Sequence, residues 1–170
     1  MTRYRVRSIA FGGLMIALAM ALSYLESLIP IYFGAPGIKP GFANMIMLFY
    51  FYKRKYYQGL VVNILRIALT GFMFGNLFSI LYSMSGALLS FAVLRILSMK
   101  LWEDRISIVI KSVIAGMTHN IGQFLCALIV LRSPGLWYYV PVLLLAGGIA
   151  GILTGSVISV MKPALKRLEL

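Results

Sequence analysis

All but three of the 16 Lys and Arg residues in this chain fall into four clusters: Arg3/Arg5/Arg7, Lys53/Arg54/Lys55, Arg95/Lys100/Arg105/Lys111 and Lys162/Lys166/Arg167. Long apolar runs separate the clusters, which occupy every second connection. The other connections carry only Lys39 and Arg132, and Arg66 lies inside an apolar run. Short cytoplasmic loops retain Lys and Arg, so the pattern predicts an all-α polytopic membrane protein with both termini in the cytoplasm.

Composition narrows the classes further. With 61% hydrophobic and 12% charged residues, and a mean hydropathy of +0.94, the chain exceeds what a soluble domain of this size carries. The net charge of +12 would point to nucleic acid in a soluble protein. Here the charges flank apolar spans, where they hold topology and meet anionic lipid head groups. Cys126 is the lone cysteine and lies in an apolar run, which excludes a disulfide framework or a Cys-based metal site. The apolar stretch after the N-terminal arginines runs to Phe33 with no clear small-residue cleavage site, so it reads as a first span rather than a signal peptide.

Six spans in one domain, residues 1–170, fit the chain. A helix needs about 20 apolar residues to cross a hydrocarbon core of about 30 Å. The runs Ile9 to Phe33, Gly59 to Phe74, Leu77 to Leu97, Ile106 to Leu131 and Leu136 to Met161 meet or approach that length. The second span, Ile38 to Tyr52, is the weak one, at roughly 22 Å for a regular helix. Pro36 and Pro40 forbid a regular helix through its start. Irregular backbone at membrane depth must line protein or a cavity, so Gly34 to Gly41 reads either as a lid or cavity wall or as an ordinary tight turn.

Small residues recur every fourth position in two helices. Gly13, Ala17 and Ala21 clear a stripe on the first span, and Gly147, Gly151, Gly155 and Ser159 clear one on the last. Such stripes let another backbone approach, either within the bundle or from another subunit. A third set, Ser79, Ser83, Gly86 and Ser90, is expected to pack internally.

The residues that a bilayer should exclude define the candidate site. An ionisable side chain within a span costs at least about 2.5 kcal/mol and faces a cavity or a partner. Glu26 lies near the outer end of the first span, Arg66 in the middle of the third and His119 in the middle of the fifth. Asn120 adjoins His119, and Gln123 follows one turn later on the same face. Asn44, Asn63 and Asn76 add amides, and Lys39 adds a charge in the outer loop. Together they are expected to line a polar pocket in the outer half of the bundle. The plain alternative is that Glu26 and Arg66 neutralise each other while His119 donates to a carbonyl. Against it, one acid cannot neutralise Arg66, Lys39 and a protonated His119, and Arg suits bidentate recognition of carboxylate or phosphate.

Enzymatic readings find little support. Asp104 is the sole aspartate and adjoins Glu103 in an inner loop, whereas Mg²⁺-dependent diphosphate chemistry needs several carboxylates. One His makes no Zn site, and no phosphate-binding loop is present. The expectation is a non-enzyme without cofactor or metal, needing a partner for any uphill transport.

The segment Ala35-Pro-Gly-Ile-Lys-Pro-Gly-Phe-Ala-Asn44, the pair Ala17-x-x-x-Ala21, the stretch Ser85-Gly-Ala-Leu-Leu-Ser90 and His119-Asn-Ile-Gly-Gln123 resemble the Gx transporter family. That family is also labelled heptaprenyl diphosphate synthase component I, and it is similar to the substrate-binding S components of energy-coupling-factor transporters. The resemblance covers nearly the whole chain, and Pro-Gly-Ile-Lys and His-Asn-Ile-Gly-Gln are its more specific parts. It implies a six-helix S-component fold in the plasma membrane, a pocket opening outward under the first outer loop, and docking to a membrane coupling subunit driven by two ATPases. Ala17 and Ala21, with Gly13 on the same stripe, would form the docking face. Lys39, Asn44, His119, Asn120 and Gln123 would line the pocket. The synthase label conflicts with the residues, because prenyl synthase catalytic subunits carry Asp-Asp-x-x-Asp motifs and this chain has none. The reading is therefore a subunit that captures a small anionic or amphiphilic molecule from outside. The alternative is a non-catalytic membrane assembly protein that recruits enzymes of isoprenoid or electron-transfer metabolism through its basic loops.

Overall fold

Apolar stretches of sufficient length become helices that satisfy their own backbone groups, the only economical arrangement for an open chain in lipid. The computed structural model describes residues 3–28, 41–42, 44–99 and 105–167. They form α1 (Arg3–Leu28), α2 (Asn44–Tyr52), α3 (Tyr56–Phe74), α4 (Leu77–Leu97), α5 (Ile108–Leu131), a 3-10 segment (Pro134–Tyr139) and α6 (Val140–Lys166). Five helices, all but α2, are long and apolar enough to cross a membrane. Their outward faces are apolar, with Phe72 at 80% and Val160 at 81% exposure, as expected where lipid rather than water covers them.

The second expected span is described only in part. Its described part is the nine-residue α2, about 14 Å long at 1.5 Å per residue, which is too short to cross by itself. Residues Ile46 through Phe51 are all buried, so α2 has no lipid face; a helix that is apolar all round belongs in the interior. It packs against α1, α3 and α6. The remainder of that expected span, including residues 34–40, lies outside the described residues.

Local chemistry sets the helix ends. Lys53 and Arg54 form the turn after α2, with Arg54 in the left-handed region at φ 57°, and α3 then returns against α2. A Cβ at Gly59 would fall 2.6 Å from Tyr50 Cβ, so glycine permits that approach. At the start of α4, the Ser79 amide donates to Asn76 Oδ1 at 2.8 Å while the Asn76 amide donates to Ser79 Oγ at 3.0 Å, a reciprocal cap. Ser107 caps α5 by accepting from the Ile110 amide at 3.2 Å.

Helices α4, α5 and α6 form one closely packed half. A Cβ at Gly147 would lie 2.6 Å from the Gly116 carbonyl oxygen, one at Gly151 would lie 2.5 Å from Val113 Cα, and one at Gly155 would lie 2.8 Å from Val109 Cα. The stripe on α6 is thus occupied by α5. Between α4 and α5, Gly122 meets the Ser85 carbonyl and Gly86 meets the His119 carbonyl. Gly86 and Ser90 of the third small-residue set are buried, whereas Ser79 and Ser83 line the cavity described below. The other half, α1 with α2 and α3, leaves α1 largely uncovered. Gly13, Ala17 and Ala21 are exposed, and a Cβ at Gly13 would meet nothing within 4 Å.

Candidate ligand cavity

A buried guanidinium in an apolar bundle must find acceptors, and the sequence supplies them from three helices. Arg66 on α3, 8% exposed, donates to Asn63 Oδ1 at 2.7 Å on its own helix, to Ser23 Oγ at 3.2 Å on α1 and to Asn44 Oδ1 at 3.4 Å on α2. Asn63 is itself held through Nδ2 against the Met47 sulfur at 3.5 Å. The partners of Arg66 among the described residues are therefore neutral oxygens, and its Nε has no acceptor. Glu26, also buried, is close enough to act on Arg66 electrostatically.

Arg66 and Glu26 line a cavity of about 690 Å³, well within the size range of small-molecule sites. The last turns of α1, α3 and α5 and the first turns of α4 and α6 surround it. Those helix ends therefore share one side of the molecule, and the basic clusters of the described residues lie toward the opposite ends of the same helices. His119, Asn120 and Gln123 line the α5 wall, and Asn44 lines the deep end. His119 is buried, and its Nδ1 has no hydrogen-bond partner among the described residues. Asn120 donates to the Leu143 carbonyl at 2.7 Å, which ties α5 to α6 and leaves its side-chain oxygen as an acceptor.

Six of the seven expected pocket residues, Glu26, Asn44, Arg66, His119, Asn120 and Gln123, thus line one cavity, while Lys39 lies outside the described residues. Glu26 lies near enough to act on the Arg66 charge, and the hydrogen bonds of Arg66 among the described residues go to Asn63, Ser23 and Asn44. Ser23 was missed in the sequence. It precedes Glu26 by three positions, and that spacing puts both on one helix face. The aromatic lining was also missed, because Phe and Tyr facing a cavity look the same in sequence as Phe and Tyr facing lipid.

Below the deep end, a second cavity of about 30 Å³ is bordered by the hydroxyl residues Ser90, Ser112 and Thr154 and shares Gly41, Asn44, Gly116 and Ala150 with the first. Ser112 and Thr154 hydroxyls are 2.9 Å apart. Among the described residues, no three His, Cys, Asp or Glu side chains come together as a metal site would require.

Fold and cavity define a helical membrane protein with a ligand-sized chamber that is polar at its floor. The chain belongs to the heptaprenyl diphosphate synthase component I family, which it matches over residues 15–161, a range that includes every cavity residue named above. No curated protein and no solved structure matches the chain.

Proposed function

We propose that this chain is a non-catalytic, substrate-binding membrane subunit, similar to the S components of energy-coupling-factor transporters, that captures a small anionic or amphiphilic molecule. The observation that carries this reading is Arg66: a buried cation at the floor of a 690 Å³ cavity, near Glu26, whose hydrogen bonds among the described residues go to neutral oxygens. A carboxylate or phosphate head group is the acceptor that such a guanidinium favours.

Topology follows from the same frame. On this reading α2 belongs to a further crossing between α1 and α3, both of which end at the cavity side, for six in all. On the same reading the basic clusters and both termini face the cytoplasm, the membrane is the plasma membrane, and the cavity faces outward. Uptake from that side requires energy from a coupling subunit with two ATPases. The uncovered stripe Gly13, Ala17 and Ala21 is the surface on which that subunit docks. Lys39 would join the site from the outer loop.

The test is Arg66→Met. Ligand binding should be lost while the bundle stays folded, as read by size-exclusion profile and thermal unfolding. If Arg66 only balances Glu26, the variant should unfold more readily and Glu26→Gln in the same chain should restore it. A variant that binds normally sinks the proposal.

The family name favours a second reading, a membrane assembly protein that recruits isoprenoid-metabolising enzymes. Charge reversal at Lys53, Arg54 and Lys55 would then abolish function, and replacement of His119 and Gln123 would be mild. The capture reading predicts the reverse ranking.

A further inference from the structure

The cavity is not uniform along its length, and its gradient specifies the ligand more narrowly than charge does. Arg66 and Asn44 lie at the deep end. Toward the mouth aromatic side chains join polar ones such as Ser79 and Gln123: Tyr24 from α1, Phe74 from α3, Phe78 and Tyr82 from α4, Phe124 from α5 and Tyr139 from the 3-10 segment. Five separate elements thus each contribute at least one ring.

The rings are braced. Tyr24 packs on Phe74 with centroids 5.2 Å apart, Phe78 stacks on Tyr82 at 5.8 Å, and Phe124 meets Trp137 edge-on at 5.1 Å. Tyr24, Phe74, Phe78 and Tyr139 keep ring surface open, at 38–55% exposure, whereas Phe124, at 6%, supports the wall from behind. Along α3, Phe74 is eight residues beyond Arg66, a rise of about 12 Å, and along α5 Phe124 is five beyond His119, about 7.5 Å. On α3 and α5 the aromatic zone therefore begins roughly one to two turns outward from the polar floor, whereas on α1 Tyr24 directly follows Ser23, an acceptor of Arg66.

Resting on the capture reading above, we infer that the ligand is a flat, conjugated ring system bearing one anionic head, bound head-first on Arg66 with the ring held between aromatic walls. A saturated body would fill the same space but forgo the ring–ring geometry, which is worth about 0.5–1.5 kcal/mol per aromatic pair beyond area burial. Two such contacts amount to roughly five- to 150-fold in affinity.

Three probes separate ring from charge: 2-naphthoate, decahydro-2-naphthoate and 2-naphthylmethanol, titrated calorimetrically against the full chain in detergent. The expected result is that 2-naphthoate binds about tenfold tighter than either of the others. Tyr82→Leu with Phe124→Leu should close the gap between the two acids, and Arg66→Met should remove binding of both. Because Phe124 is buried, the more exposed Phe74→Leu serves as a second variant, and it should narrow the gap in a protein of undiminished stability. Equal binding of the two acids, or a gap that survives these ring replacements, overturns the inference and leaves capture standing. No saturable binding of 2-naphthoate overturns it as well. Capture itself is judged in the same preparation by whether an anion accompanies the protein through purification.

Discussion

The two halves of this bundle are held together by different chemistry. Helices α4, α5 and α6 meet backbone to backbone: glycines at 86, 116, 122, 147, 151 and 155 leave no room for a Cβ. Helices α1, α2 and α3 are joined at one depth through Arg66, whose three acceptors come one from each helix. Lipid offers no hydrophobic drive for helix association, so close packing and hydrogen bonds must supply it; both occur in each half, with the close glycine contacts concentrated in α4, α5 and α6 and the buried Arg66 in the other half. The close-packed half is a fixed wall. In the other half Arg66, the proposed ligand contact, bridges helices that the apolar core around α2 and the close approach at Gly59 also hold together.

The comparison breaks first at the glycines. Gly151→Leu would drive a side chain into Val113 Cα and the Ser112 carbonyl, which are backbone atoms that cannot swing aside. Overpacking costs about 1–3 kcal/mol where neighbours can adjust and more where they cannot, so the variant should yield little monodisperse protein. Normal yield and melting would show that the halves are not held as described.

Next in size is Arg66→Met. Removing one partner of a desolvated charge pair costs about 2–5 kcal/mol, so affinity for the ligand should fall by roughly 30-fold or more, while the α4–α5–α6 packing is untouched. A titration of the purified variant reads the loss directly.

Ser112→Ala sharpens the comparison within the close-packed half. It removes the hydrogen bond to Thr154, yet Thr154 keeps a bond to the Ala150 carbonyl at 2.9 Å. The expected cost is about 1 kcal/mol, visible as a small drop in melting temperature. A loss as large as that of Gly151→Leu would mean that hydrogen bonds, not close approach, hold this half.

Smallest for stability is Ala17→Leu, on the uncovered face of α1. Its effect on melting should stay within about 0.5 kcal/mol, whereas ATP-driven uptake should fall strongly if this face docks a coupling subunit. The contrast with Gly151→Leu is informative because the two stripes share a four-residue spacing and differ in what covers them.

That contrast marks where sequence reading stops. Spacing says that a helix can be approached closely; it does not say by whom, and only the fold assigns the α6 stripe to α5. The long spans were legible because lipid demands about 20 apolar residues. The short α2 was not, because an apolar run enclosed by protein and one facing lipid look alike. Glu26, Arg66 and His119 were legible because a bilayer tolerates such residues only for cause, and the structure places them around one cavity. Ser23 carried no such signal, since hydroxyls are common in membrane helices.

The most direct test is native mass spectrometry of the chain purified in mild detergent from its own membranes. The account predicts one small anion per protein in the wild type and none in Arg66→Met, with both proteins folded. The same anion retained at full occupancy in Arg66→Met, or a wild type that carries no small molecule but a bound cytoplasmic enzyme, would contradict it.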